Sequence, residues 1–225
     1  MEKWIALVFF FLAAPAAAQI APTASEIAAY TGLHAAAAKG DVPAIDKLAG
    51  TGAPIDARDS NGRTPLHVAI FLHHGEAARA LLRHGANPNA LDAQRYDIVT
   101  IAAVADDVEM LKLALAGGCK ATNITSPYDG TALIAAAHLG HDAVVRTLIA
   151  AKAPLDHVNN LGWTAVIESI VLGDGGKRHI ATLEALVKAG ANVNLADRAG
   201  ATPLTLAKSR GYAEMVKILK AAGAR

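Results

Sequence analysis

Apolar and polar positions alternate along most of the chain in blocks of about 33 residues. In a typical block, Thr or Asp precedes a short apolar run, a polar turn follows, and a second apolar run contains pairs such as Leu81-Leu82 and Leu148-Ile149. Two apolar runs divided by a polar turn indicate a pair of short helices. One such pair cannot bury its own apolar face, so the repeated blocks predict stacked helix pairs, an all-α solenoid.

The six block starts fix the register of this repeat. They are Thr31, Thr64, Asp97, Thr131, Thr164 and Thr202, with steps of 33, 33, 34, 33 and 38 residues. A starting Thr can cap the first helix, and Pro65 or Pro203 fits the first helical position. Glycine stands twenty-one residues after five of the starts, once five extra residues are allowed in the fifth block. Lys152 holds this place in the fourth block, and we expect strain there if the backbone is left-handed.

The recurring segments Thr64-Pro-Leu-His67, Gly85-Ala-Asn-Pro-Asn89 and Asp197-Arg-Ala-Gly200 resemble the ankyrin repeat. The resemblance covers about Thr23 to Arg225. It implies an α-solenoid of six ankyrin repeats, each a helix pair with a short β-hairpin or loop finger. Residues 31–225 would form this single solenoid, with 19–30 as a lead-in and the start of a capping helix. Histidines in the motif, such as His34 and His67, would be hydrogen-bonding elements of the fold.

In the ankyrin family, the finger tips and first helices line a concave surface that contacts partners. The corresponding slots here are largely apolar in the four central blocks, whereas soluble ankyrin arrays usually carry polar residues there. An apolar stripe with charged ends is typical of a protein interface. We therefore expect a protein or extended peptide to bind this face. The candidate residues are Arg63, Phe71, Leu72, Tyr96, Val104, Tyr128, His138, Leu139, Trp163, Val171 and Leu172.

A second interpretation of the stripe is that Phe71, Leu72 and Val171 are core residues, since burial is the usual fate of such side chains. Against it stands the scarcity of aromatic residues, which number ten in the chain, four of them before residue 18. We expect the core to be built from Ala, Leu, Val and Ile and the remaining aromatic side chains to serve contact.

The fifth block contains an insertion, residues 173–179, rich in glycine and ending in Lys177-Arg178-His179. Its spacing does not match a phosphate-binding loop and no strand precedes it, so we expect a flexible loop. Glu168 occupies a slot that is usually apolar. Because a buried unpaired carboxylate is costly, pairing with Lys177 or Arg178 is favoured over an orientation toward the partner.

The first residues predict export. An apolar run from Trp4 to Ala18 ends in three alanines, which is typical of a bacterial secretory signal over residues 1–18; an uncleaved anchor helix is the alternative. No later segment is long and apolar enough to span a membrane. We expect a periplasmic or secreted protein. Its one cysteine, Cys119, can form no internal disulfide and is expected to be a packed thiol.

Composition and charge exclude several classes of function. With 53% hydrophobic residues the chain is globular, and a net charge of +1 gives no basic field for nucleic acid. No nucleophile–base or paired-carboxylate pattern is apparent, so we expect no enzyme and no cofactor. The pairs His73-His74 and His138 with His141 lack a third ligand, so no metal is expected either.

These observations lead to one functional hypothesis and one alternative. The first is a monomeric, non-enzymatic scaffold in the bacterial envelope, such as an inhibitor, immunity or accessory protein for an exported enzyme. The alternative is a small-molecule- or metal-dependent activity at the loop 173–179 and Glu168.

Overall fold

The computed structural model describes residues 19–225, so the predicted signal segment lies outside the described residues. This part of the chain forms thirteen α-helices and no strand. An isolated bridge between Thr125 and Gly130 is the one β-type pairing within it, so the expected β-hairpins are loops here. The helices are α1 Ala24–Ala29, α2 Gly32–Lys39, α3 Val42–Gly50, α4 Pro65–Phe71, α5 Gly75–Arg83, α6 Ile98–Val104, α7 Val108–Ala116, α8 Ala132–His138, α9 Asp142–Ala150, α10 Ala165–Val171, α11 Lys177–Lys188, α12 Pro203–Ser209 and α13 Ala213–Ala221.

Helices α2 to α13 form six successive pairs that stack in two rows. The first helices of the pairs (α2, α4, α6, α8, α10 and α12) pack on one another, as do the second helices, and each helix also packs on its own partner. Loops of residues 51–64, 84–97, 117–131, 151–164 and 189–202, which we call fingers, join one pair to the next. The predicted all-α solenoid is confirmed.

The block starts cap the first helices as the repeat predicts. The side chains of Thr64, Asp97, Thr131, Thr164 and Thr202 each accept the backbone N–H three residues later, and Thr31 makes no such bond. These bonds satisfy amides that have no partner inside the helix.

Two motif histidines tie a first helix to the next finger. His67 Nδ1 accepts the Thr64 N–H at 3.1 Å, which leaves Nε2–H to donate to the Tyr96 carbonyl oxygen at 3.2 Å. His34 Nε2 likewise lies 2.9 Å from the Arg63 carbonyl oxygen. Both imidazoles act as elements of the fold, as expected.

Departures from the repeat are visible in the backbone. Lys152 has φ +61° where five blocks carry glycine, so the expected left-handed backbone is present. This conformation costs a side-chain-bearing residue about 1 kcal/mol or more. Cys119 is buried, with Sγ 3.5 Å from Asp97 Oδ2, and burial raises the pKa of the thiol well above its usual value. It is the packed thiol that the sequence predicts.

Within residues 19–225, none of the helices combines the length and apolar character needed to cross a bilayer.

Candidate partner-binding surface

Arg63 is not available to a partner, and the prediction that placed it on an accessible face is wrong. Its side chain is fully buried: Nε donates to Asp59 Oδ2 and Nη2 to Glu26 Oε1, both at 2.7 Å. Tyr30 Oη also donates to Asp59 Oδ2, at 2.7 Å. Burial acts to raise the pKa of Asp59, but the hydrogen bonds from Tyr30 and Arg63 hold it below its usual value. This network joins α1, with Tyr30 at its end, to the first finger, because Arg63 turns inward toward two carboxylates.

The prediction is also wrong for Tyr96, which belongs to the core with 6% of its surface exposed. Burial raises the pKa of its phenol. Phe71 and Leu72 are partly buried and pack against the same core, in line with the core interpretation for these two residues. The expectation that aromatic side chains are kept out of packing therefore fails for Tyr96 and Phe71.

Seven predicted residues remain at least partly exposed and do not belong to the core of the described chain. All lie between the last residue of α6 and Leu172, the residue that follows α10, in the third, fourth and fifth helix pairs and their fingers. They are Val104, Tyr128, His138, Leu139, Trp163, Val171 and Leu172. The accessible predicted residues therefore lie in the later part of the predicted stripe, and those of its first part are buried or pack against the core.

Exposed apolar side chains, three of them not predicted from the sequence, lie in the same region. Of five large exposed apolar residues in the described chain, four flank α8 and α10; the fifth is Ile20 in the lead-in. We call these four the α8–α10 patch: Ile124 (48% exposed), Leu139 (39%), Val158 (49%) and Leu161 (40%).

Three of the four patch residues, Ile124, Val158 and Leu161, stand on two fingers that hold each other. Asn160, next to Leu161, donates its backbone N–H to the Tyr128 carbonyl oxygen at 2.9 Å and its side-chain amide to the Pro127 carbonyl oxygen at 3.1 Å. Leu139 was among the predicted residues. The sequence does not predict the other three, which precede the slot next to the starting Thr, the finger position that the repeat indicates.

Glu168 is buried at the base of one of these fingers. It lies on α10, four residues after the capping Thr164, and only 4% of its surface is exposed. Oε1 accepts the side-chain N–H of Asn159 at 2.9 Å, and Oε2 lies 3.5 Å from His138 Nδ1. Burial raises the pKa of Glu168 to about 7, with the Asn159 hydrogen bond acting in the opposite sense.

The expected pairing of Glu168 with Lys177 or Arg178 is wrong. Arg178 Nη2 instead donates to Asp106 Oδ2 at 2.6 Å, and Lys177 is exposed. Asp106 stands in left-handed backbone (φ +56°), at a position where a glycine would end the helix more easily. Its carboxylate gains a cationic partner from the insertion.

The insertion is held in place by contacts and is not the flexible loop that we expected. It forms residues 172–176 between the helices and an additional first turn of α11, which has twelve residues where the other second helices have nine. His179 Nε2 lies 2.9 Å from the His138 carbonyl oxygen, and Tyr212 Oη donates to the Gly173 carbonyl oxygen at 2.8 Å. The insertion braces the third to sixth helix pairs against one another.

The residues put forward for a metal-dependent activity do not form a metal centre. No group of three His, Cys, Asp or Glu side chains in residues 19–225 is arranged to hold a metal ion. In the insertion, His179 Nδ1 and Asp174 Oδ1 bind each other at 2.8 Å, while Glu168 contacts Asn159 and His138.

Comparison with known proteins supports the repeat assignment. The family model described as ankyrin repeats in three copies matches residues 6–92 and 99–197. This chain belongs to the ankyrin repeat family. Ankyrin repeats are generally protein–protein interaction modules, and ankyrin domains related to this chain are generally non-enzymatic.

Relatives of similar length occur in bacteria. The ankyrin repeat protein YahD of Escherichia coli (strain K12) is 32% identical over 190 residues, which cover 84% of this chain and 94% of YahD. The crystal structure of an ankyrin repeat domain from Acinetobacter baumannii AYE is 44% identical, with a TM-score of 0.81, covering 86% of this chain and 98% of that one. The ankyrin repeat protein EF0377 is 30% identical, with a TM-score of 0.79, covering 85% and 98%.

Proposed function

We propose that this ankyrin repeat protein is a non-enzymatic scaffold of the bacterial envelope that binds a protein or an extended peptide on its concave face. The observation that supports this most directly is the α8–α10 patch, together with the other six predicted residues of that region, which are partly exposed. Exposed apolar side chains gathered on one region, instead of scattered singly, mark interaction surfaces.

The composition of this surface fits a protein partner. Trp163 and Tyr128 supply aromatic side chains of the kind that anchor interfaces, and Leu139 and Leu161 supply apolar area around them. Truncating one well-packed anchor costs on the order of 2 kcal/mol of binding free energy. A monomer with this face free would be ready to bind, and we propose the monomer as the active form.

Export is the second part of the proposal. The apolar run from Trp4 to Ala18 and its terminal alanines support a secretory signal. In the envelope, the protein would mask or stabilise an exported enzyme as an inhibitor, immunity or accessory protein. A fusion of residues 1–30 to alkaline phosphatase tests the location: activity of the fusion in the periplasm is expected, and a fusion that remains inactive inside the cell contradicts export.

The binding surface is tested by a charged double variant and a matched control. Val158→Asp combined with Leu161→Asp places two charges in the patch; Ala150→Asp introduces the same residue type at an exposed site on α9. We expect both proteins to keep their circular dichroism spectra. A protein that co-purifies from envelope extract with the unmodified chain should be retained by Ala150→Asp and lost with the double variant. Equal retention by both variants would contradict the proposed surface.

A further inference from the structure

We propose that Glu168, His138 and Asn159 form a subsite for a cationic side chain, arginine or lysine, of the partner protein. This inference rests on the proposed function and names the chemistry that one part of the surface recognises. It would make Glu168 a specificity-determining residue within an otherwise apolar face.

The carboxylate of Glu168 is oriented but has no resident cation. Asn159 holds Oε1 at 2.9 Å, and the nearest charged or titratable neighbour of Oε2 is the His138 ring at 3.5 Å. Among the ion pairs of residues 19–225, none joins Glu168 to a lysine or arginine. A buried carboxylate without a cation is a cost to the fold, since burial penalises the charged form.

His138 does not act as a permanent counter-ion. Burial lowers the pKa of its imidazole, and the neighbouring His179 and His141 lower it further. The other charged groups on this side are already engaged: His179 binds Asp174, and Arg178 binds Asp106. A cationic side chain of the partner would supply the counter-ion that this carboxylate lacks among residues 19–225.

Glu168 and Asn159, which contact each other, both depart from the repeat. The position of Glu168 is occupied by Ala35, Val68, Ile101, Ala135 and Leu206 in the other blocks, all of them apolar. The position of Asn159 is occupied by Asp59, Asp92 and Asp197 in three of the other fingers.

Asn159, in the aspartate position, stabilises Glu168, in the apolar position. In each of these four fingers, one side-chain oxygen accepts the backbone N–H groups two and four residues later. Asn159 keeps both bonds through Oδ1, and its amide N–H is left to donate to Glu168. An aspartate at position 159 would repel Glu168, whereas the amide of Asn159 stabilises the carboxylate by a hydrogen bond.

The subsite residues neighbour those of the α8–α10 patch along the chain. Leu139 follows His138 directly, and the finger that carries Val158 and Leu161 also carries Asn159. His138 is partly exposed, with 29% of its side chain accessible, and in the proposed complex its imidazole turns aside to admit the incoming side chain. A partner segment with apolar residues around one cation matches this arrangement, because a desolvated charge pair adds to binding mainly when both charges are satisfied.

Three short peptides test the charge requirement on the purified chain. They are acetyl-Leu-Arg-Leu-amide, acetyl-Leu-Lys-Leu-amide and acetyl-Leu-citrulline-Leu-amide, the last being nearly the same shape as the first without its charge. Binding is followed by NMR shifts of the Trp163 indole and His138 ring. We expect both cationic peptides to bind about tenfold or more tightly than the citrulline peptide. The variant Glu168→Gln should lose this preference, and Glu184→Gln, an exposed site on α11, should keep it.

Equal affinity for the three peptides, absence of binding by the cationic peptides, or a charge preference that survives in Glu168→Gln would each overturn the subsite. The proposed function can fail separately. If the double variant Val158→Asp, Leu161→Asp loses a co-purifying partner that Glu168→Gln retains, the result supports the binding surface and contradicts the cation subsite. If the double variant retains the partner, the result contradicts the binding surface itself.

Discussion

The burial of Glu168 makes a quantitative prediction about stability. Glu168→Gln replaces a carboxylate by a neutral amide of nearly the same shape, whose oxygen can still accept the Asn159 N–H that now binds Oε1. Gln therefore imitates the protonated form of Glu168. The free energy of unfolding of the variant should therefore lack the pH dependence that titration of Glu168 gives the unmodified protein.

The size of the effect follows from the shift of the pKa. Burial raises it from 4.5 to about 7 in the folded protein. The folded state then binds the proton more tightly than the unfolded state, so the contribution of Glu168 to stability is highest below the unfolded pKa and is lost as pH rises through 7. At about 1.4 kcal/mol for each pKa unit, the loss between pH 5 and pH 8 is about 2 to 3 kcal/mol.

Urea unfolding at pH 5, 6, 7 and 8 measures this loss. The free energy of unfolding of Glu168→Gln should exceed that of the unmodified protein by an amount that grows by about 2 to 3 kcal/mol from pH 5 to pH 8. The control Glu184→Gln, at an exposed site, should differ from the unmodified protein by a nearly constant amount. A constant difference for Glu168→Gln, or a lower stability of this variant at pH 8, would refute the reasoning. The expected gain in stability at the expense of binding is typical of a functional site.

Three further predictions concern the rest of the solenoid. Arg63→Ala leaves Asp59 and Glu26 without their cation and should cost about 3 to 5 kcal/mol, seen as a lower Tm; a Tm within a degree or so of the original would mean that the network is not structural. Lys152→Gly relieves left-handed backbone and should raise the free energy of unfolding by about 1 kcal/mol, whereas an unchanged or lower value would deny strain at φ +61°. Cys119 should not react with a thiol reagent until the protein unfolds, because it is buried as the neutral thiol; rapid labelling of the native protein would show the burial to be wrong.

The repeat could be predicted from the sequence because it depends on local chemistry. A capping Thr, a proline in the first turn and a closing glycine each act within a few residues, and they recur often enough to fix the register of the helix pairs. The same regularity singles out Lys152 as a residue in a glycine position, and its backbone is left-handed, with φ +61°.

Whether the side chain at an individual repeat position is buried or exposed could not be predicted in the same way. Arg63 and Trp163 hold equivalent positions, but Arg63 turns inward because Asp59 and Glu26 offer it two carboxylates. Tyr96, in a third equivalent slot, fills space in the core. A slot fixes where a backbone position lies, and the neighbours of that position decide whether its side chain is exposed.

The fixed conformation of the insertion depends on distant residues and could not be predicted for a related reason. Arg178 binds Asp106, 72 residues earlier in the chain, and the Tyr212 hydroxyl reaches Gly173 across 39 residues. Glycine content alone favours flexibility, and no local signal reports partners in other repeats. Glu168 was recognised as unusual from its slot, but its partner Asn159 became apparent only from the geometry of the finger.

Site-specific photo-crosslinking in cells tests the central claim most directly. A benzoylphenylalanine at position 161, in the α8–α10 patch, is compared with one at position 150, exposed on the second-helix row. We expect a discrete crosslinked protein of the envelope with position 161 and none with position 150. Crosslinks at both positions alike, or at position 150 alone, would contradict a partner bound across the fingers and first helices.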